Sequence, residues 1–358
     1  MEEMSNVEYH HLCNELQPLV GKRLRKVYEL KPGRFRFRLD KTDVVCDVGK
    51  RMNATKYMEK APVAPSGFVM GLRKRIGNAV LTSIGQHKLD RVIVFALRKE
   101  KEYSLVFEQF GNGNLVLLDE NGIVDLCYKR EEWKDRRTFP KERYTFPSSS
   151  LLPLRPSLED IMGALGDKAV ASSLSRLPLG LSYLKEILAR SGVDEKKPGK
   201  ELTDGEIKKI RDEVLAVVDN LRPIVYIRDG KILAFSLTEL TQYKGDECIK
   251  KESLSDAADD FYHQMDGEEK TEVADEETEK MKRRLSEQRG AVEKLAKAER
   301  EAREAGDLIY KNSYVLERVI AFIHESIKKG VGWEEIEKEL SKKGVSVDKG
   351  KGTFTIDL

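Results

Sequence analysis

The chain has 358 residues, with 64 Lys and Arg against 62 Asp and Glu, 40% hydrophobic residues and 35% charged ones. That length argues for two or three domains rather than one, and the composition supports a core while carrying more charge than an average globular chain. No apolar run is long enough to span a bilayer, and the acidic start MEEMSNVEYHH lacks the apolar centre of a signal peptide, so a cytoplasmic protein with no membrane partner is expected.

The net charge of +2 is unevenly spread: residues 1–147 carry +8 and the remainder −6. A basic front half implies an anionic partner held mainly by that half. The four cysteines, Cys13, Cys46, Cys127 and Cys248, form no CxxC pair, so neither a disulfide framework nor a zinc site is indicated.

In chain order, Asn6 to Leu19 reads as a first helix with Leu12, Leu16 and Leu19 on one face and Gly21 as terminator. Leu24 to Leu30 and Arg34 to Asp40 read as a hairpin around Lys31-Pro32-Gly33. In RFRFRL the alternation puts Phe35, Phe37 and Leu39 on one side and Arg34, Arg36 and Arg38 on the other. Such an arginine row can track a phosphate backbone or be an ordinary solvated face. Val44 to Val48 is a further short strand, ended by Gly49-Lys50-Arg51, and APVAP (61–65) is a stiff connector.

A helix is expected from Ser66 to Ile76, with Phe68, Val69, Leu72 and Ile76 inward and Arg73, Lys74 and Arg75 around its last turns, where cations suit the helix dipole. Strands follow at Arg91 to Leu97, Tyr103 to Phe110 and Leu115 to Leu118, with turns at GNGN (111–114) and DENG (119–122). Asp90-Arg91 stands at the mouth of the apolar strand RVIVFAL; it is either a surface ion pair or a binding element.

The Pro- and Ser-rich stretch 146–157 has the character of a domain boundary. Beyond it, two short helices flank Pro178-Leu179-Gly180, which either pack ordinarily or present backbone N–H groups to a phosphate. Thr203 to Glu206 is a capping-box start, and Ile224 to Leu237 is a hairpin around Asp229-Gly230. From Glu268 the residues Met281, Leu285, Val292, Leu295, Ile309, Leu316, Val319 and Ile323 fit a coiled-coil seam, weak in its middle and broken at Gly330. A short helix from Trp333 and a final strand GTFTIDL with no evident partner close the chain. A coiled-coil arm needs a second strand, supplied by self-association or by a returning helix.

There is no P-loop, no GxGxxG after a strand, no GxSxG and no metal-ligand cluster, so neither enzyme chemistry nor a cofactor is indicated.

The order SGFVMGLRKRIGNA, LDRVIVFAL, FEQFGNGNLVLLDENG, LPLGLSYLKEILARSG and then a charged coiled coil resembles the NFACT family, the fibronectin-binding-protein-A-like, NEMF-type and RqcH-type factors of ribosome-associated quality control. The resemblance covers nearly the whole chain and is most specific from Ser66 to Gly122. It implies an α+β protein. Residues 1–147 would form a β-rich domain resembling the N-terminal fold of formamidopyrimidine-DNA glycosylases, 158–260 a helix-hairpin-helix domain, and 268–345 an incomplete coiled-coil arm. Met1-Glu2-Glu3 stands where the glycosylases have a Pro-Glu nucleophile, which implies a nucleic-acid grip without the base-excision reaction.

In the family an aspartate of the first helix and an Asp-Arg pair before a central strand recruit tRNA for untemplated tailing. These map onto Glu8, a longer acid, and onto Asp90 and Arg91. Arg34, Arg36, Arg38, Arg73, Lys74 and Arg75 would add cationic contacts. The NFACT-R domain that normally follows is not in the chain, implying a shortened chain or a partner that supplies it. The expected function is therefore non-enzymatic binding of tRNA, with alanyl-tRNA as a candidate, and of the obstructed large ribosomal subunit. The alternatives are a DNA-processing protein and a coiled-coil scaffold or adhesin.

Overall fold

The computed structural model describes residues 3–133 and 136–356, and the side chains of all of these but 269–279. Met1 and Glu2 therefore lie outside the described residues. Helices and antiparallel sheets are mixed throughout, giving the α+β class expected.

Helix α1 (Asn6–Glu15) leads into a meander, β1 (Leu24–Lys31), β2 (Arg34–Leu39), β3 (Thr42–Asp47) and β4 (Arg51–Thr55), each strand pairing with the next. Helix α2 (Gly67–Ile76) starts at Ser66, whose hydroxyl accepts from the Val69 N–H. A second meander follows: β5 (Val80–Gln86), β6 (Val92–Arg98), β7 (Glu102–Glu108), β8 (Asn114–Leu118) and β9 (Val124–Cys127). The inward phenylalanines make the core between the two sheets. The Phe37 and Phe107 rings lie 5.3 Å apart edge to face, and Phe95 and Phe107 4.9 Å apart. The loops at 48–49 and 111–113 also meet there. A Cβ on Gly113 would lie 2.1 Å from the Gly49 nitrogen, which explains the second glycine of GNGN, while the first, Gly111, takes a left-handed φ of +56°.

Strands β4, β5 and β9 are absent from the sequence reading, which takes Arg51 as part of a terminator and leaves 79–86 unassigned. In β5, Thr82 and Ser83 face solvent while Leu81 and Ile84 are buried, so its polar residues hide the strand signal.

A short hairpin, β10 (Glu131–Glu132) with β11 (Arg137–Thr138), precedes α3 (Leu158–Ala164), α4 (Val170–Ser173), α5 (Leu181–Ser191) and α6 (Asp204–Asp219). The capping box of Thr203 and Glu206 starts α6 as expected. A third sheet of order β13-β12-β14 follows, from β12 (Ile224–Arg228), β13 (Lys231–Ser236) and β14 (Glu247–Lys250), with left-handed Asp229 and Gly230 at its hairpin turn. One hydrophobic cluster runs from α1 through both meanders to α5, α6 and the start of α7, so the 146–157 stretch does not divide the core.

Helix α7 (Leu254–Lys311) begins ahead of Glu268. The Glu15 carboxylate caps it, accepting from the N–H groups of Leu254 (2.8 Å) and Ser255 (3.1 Å). Its first turns cover the outer face of the first sheet, which changes the role of the arginine row. Arg34 is 1% exposed; it donates to Asp47 at 2.6 and 2.7 Å, to Asp266 of α7 at 2.7 Å and to Glu59 at 2.9 Å. Arg36 is 6% exposed, donates to the Glu59 carbonyl and lies over the Tyr28 ring. Only Arg38 of the three stays partly exposed, with Asp43 3.5 Å away. A solvated arginine face is thus corrected to a largely buried one, because charges removed from water need partners and α7 and the 56–60 segment bring them.

The chain divides into two compact units, Met1–Glu269 and Lys270–Leu358. In the second, α7 is followed by α8 (Ser313–Lys328), α9 (Trp333–Ser341), β15 (Val345–Asp348) and β16 (Thr353–Ile356). The seam residues Met281, Leu285, Val292 and Leu295 are more than half exposed. Val319 and Ile323, read from the sequence as seam, instead pack with Ile336, Leu340 and Val345 in a small core. The last strand also has a partner after all: β16 pairs antiparallel with β15. Among the described residues no helix is long and apolar enough to cross a membrane.

Burial alone raises the Asp266 pKa, but its hydrogen bond to Arg34 and the charges of Arg34, Arg51 and Lys31 outweigh that and hold it below its ordinary 3.8. Its stabilising share is complete above 3.8 and lost as pH falls through the lowered folded-state value. Asp266→Asn should cost about 3 kcal/mol in urea unfolding at neutral pH, and the variant should lose less stability than wild type on acidification. Equal stability of the two proteins at neutral pH would refute the clamp.

Candidate nucleic-acid interface

Helix α1 starts at Ser5 with Glu8 at its third position. The Glu8 carboxylate accepts from the Ser5 N–H at 2.6 Å and from the Tyr183 hydroxyl of α5 at 2.8 Å. That hydroxyl in turn accepts from the Leu237 N–H at 2.9 Å. Burial and the Glu8 charge raise the Tyr183 pKa well above its ordinary value, so it stays a neutral donor. Glu8 is 6% exposed and joins α1, α5 and the end of β13. Its carboxylate is thus engaged inside the protein, where the sequence reading has it facing an RNA.

The loop before β6 is strained and tightly held. Lys88 (φ +46°) and Leu89 (φ +59°) are consecutive left-handed residues, an arrangement that costs about 1 kcal/mol or more at each. Asn6 Nδ2 donates to the Leu89 carbonyl at 2.9 Å, and Gln86 Nε2 donates at 2.9 Å to both the Asp90 and Asn6 carbonyls. The His87 ring stacks on Phe146 at 3.9 Å. The result fixes Asp90-Arg91 against the start of α1. The two side chains do not pair with each other: Asp90 accepts from the Arg91 N–H at 2.7 Å, and the Arg91 guanidinium meets Glu3 at 2.5 Å.

Arg91 and Glu8 line one cavity of about 360 Å³, with Ser5, Asn6, Ser182, Tyr183 and Tyr243 also on its wall. The Pro-Leu-Gly turn closes it. Gly180 (φ +93°) is pressed on Ser5, and a Cβ there would lie 2.6 Å from the Ser5 Cβ. The first turns of α1 and α5 both open on the cavity, and unpaired N–H groups at helix starts favour anions.

Of the residues expected to bind, Glu8 and Arg91 are brought together, and Asp90 adjoins them without lining the cavity. Arg34 and Arg36 are buried elsewhere. Arg75 is paired with Asp125 at 2.6 Å, while Lys74 is exposed and Arg73 donates to the Val27 carbonyl. Asn6, Gln86 and Tyr183 escape the sequence reading, because Asn6–Leu89, Gln86–Asn6 and Tyr183–Glu8 join segments 80 or more residues apart. The doubled left-handed turn has no glycine or asparagine to announce it.

Asn6→Ala should cost about 1 kcal/mol and speed amide hydrogen exchange at residues 88–91 while sparing β6. Unchanged exchange in that loop would show that Asn6 does not hold it.

A sequence model of the NFACT N-terminal and middle domains matches residues 5–353. The archaeal Rqc2 homolog aRqcH of Methanocaldococcus jannaschii is 29% identical over 367 residues, covering 94% of this chain and 54% of that protein. The mouse ribosome quality control complex subunit NEMF is 26% identical over 373 residues, covering 93% of this chain and 35% of that protein. The chain thus spans about half, or a third, of the curated relatives it matches. Among solved structures, the fibrinogen binding protein of Staphylococcus aureus superposes with a TM-score of 0.61 at 20% identity, covering 72% of this chain and 98% of that one. The N-terminal region of the fibronectin/fibrinogen-binding protein of Streptococcus suis gives 0.58 at 20% identity, covering 73% and 99%.

Proposed function

The chain belongs to the NFACT family, and from that premise we propose that it serves ribosome-associated quality control in the cytoplasm as an RNA-binding factor without chemistry of its own. Residues 1–147 carry the grip, the helix-hairpin-helix residues 158–260 share their core and supply the other wall of the cavity, and the coiled-coil arm runs from 268 toward the small core of α8 and α9. The gripping domain holds tRNA, with alanyl-tRNA as the candidate, on an obstructed large ribosomal subunit. The arm reaches along that subunit, and the ribosome makes the peptide bonds of an untemplated tail. The names of the relatives, ribosome quality control complex subunit and Rqc2 homolog, support this role. The likeness to the staphylococcal fibrinogen binding protein and the streptococcal fibronectin/fibrinogen-binding protein is one of fold at 20% identity and transfers no ligand.

One observation carries the tRNA assignment: a strained loop, held by Asn6 and Gln86, sets Arg91 at a cavity on which two helix starts open. A guanidinium there suits a phosphate or a base edge. Glu8 acts by holding α1 and α5 together around the cavity, and Asp90 by bracing the backbone of Arg91.

Binding of tRNA by wild type and by the double variant Asp90→Ala/Arg91→Ala, at two salt concentrations, tests the site. A loss of about tenfold is expected, equivalent to about 1.4 kcal/mol. Unchanged affinity at both concentrations would refute it.

A further inference from the structure

At the far end of β6 from Arg91 lies a second concave feature, a groove of about 550 Å³ between β1, the end of α2 and the connector 61–65. Arg25, Lys26, Arg73 and Lys99 line it, against a single acid, Glu29, which the Ser66 hydroxyl engages. Arg25 pairs with Asp40 at 2.9 Å. Among the described residues Lys26 has no ion pair and is exposed. Lys99 places its ammonium 3.4 Å from the Lys74 carbonyl at the last turn of α2. Gathering these cations is unfavourable unless something anionic joins them.

The arrangement of Arg73 is specific. Its Nε donates to the Val27 carbonyl at 2.9 Å and its guanidinium lies over the Tyr28 ring at 5.4 Å. The head group is fixed in place, while its Nη atoms make no hydrogen bond to the described residues. A guanidinium held this way offers a ready two-pronged donor to a phosphate. Pro62, Val63 and Pro65 supply an exposed apolar wall of the kind a sugar ring packs on.

We infer that this groove binds the phosphate backbone of RNA as a second, sequence-independent contact. The inference rests on the RNA-binding reading given above. Lys99 follows Arg91 by eight residues along an extended strand, which places the two sites roughly 25 Å apart, a distance that one folded RNA bridges and a mononucleotide does not. A peptide laid as an extra strand on β1 is disfavoured. The Leu24 N–H and carbonyl are taken by Ala79 and Asn78, and the Val27 carbonyl is taken by Arg73.

The test measures affinity for tRNA and for an unrelated RNA hairpin over a salt series. It compares wild type, Lys26→Ala/Lys99→Ala and Asp90→Ala/Arg91→Ala. The exposed lysines are removed without disturbing the core. Their loss should weaken both RNAs by the same factor and lower the slope of log affinity against log salt by about 1.4 to 1.8. An unchanged slope with wild-type affinity overturns the groove and leaves the Arg91 site standing if the second variant is weakened. If wild type binds neither RNA, the functional reading fails and the groove with it. Tighter binding of polyglutamate than of either RNA to wild type, lost in the lysine variant, would assign the groove to an acidic protein and overturn the inference.

Discussion

The candidate site depends on one buried carboxylate. Glu8 takes a hydrogen bond from the start of its own helix and another from Tyr183, and Tyr183 takes one from the backbone beyond β13. An unpaired acid at that depth would be costly, so each partner is required by the others. The consequence is geometric. With α1 fixed to α5, the Gly180 turn closes on Ser5, and Asn6 is placed to reach across to the strained loop. The cavity, the loop conformation and the placing of Arg91 thus share one origin.

The same polar junctions explain how a β-rich head and a helical middle region share a core. Residues 255–266 of α7 lay acids and a hydroxyl over polar positions of the first sheet. Asp259 accepts from Asn53 at 3.1 Å and from the Lys56 N–H at 2.9 Å, and Ser255 accepts from the Ala54 N–H at 3.1 Å. Polar groups at such a contact fix register more than they add net stability. The root of the long helix is therefore set by matching donors to acceptors, not by apolar fit alone.

What can be read from the chain follows the range of each interaction. The Asp229-Gly230 turn, the Thr203 capping box and the alternation of RFRFRL are local signals, and each element stands where its residues imply. Alternation says which side chains share a face; it does not say whether that face meets water. Asp266 lies 232 residues beyond Arg34, and nothing near RFRFRL anticipates it. For the same reason Arg91 is singled out by its own position, while Asn6 and Gln86, which hold its loop, carry no mark in the sequence. The exposed seam of α7 and the partly buried Val319 and Ile323 differ little as letters and differ only in what folds back on them.

The bond between Arg34 and Asp266 also bears on how the protein is made. As the polypeptide leaves the ribosome, β2 emerges long before the turn that will cover it. Until residue 266 is available, Arg34 and Arg51 lack a carboxylate that both of them use, and the first meander has an unfinished face. Closing so long a loop adds little entropic penalty per added residue but delays the event. The nascent head should stay open to solvent, and to chaperones, for most of its own translation, maturing only when the base of the arm arrives.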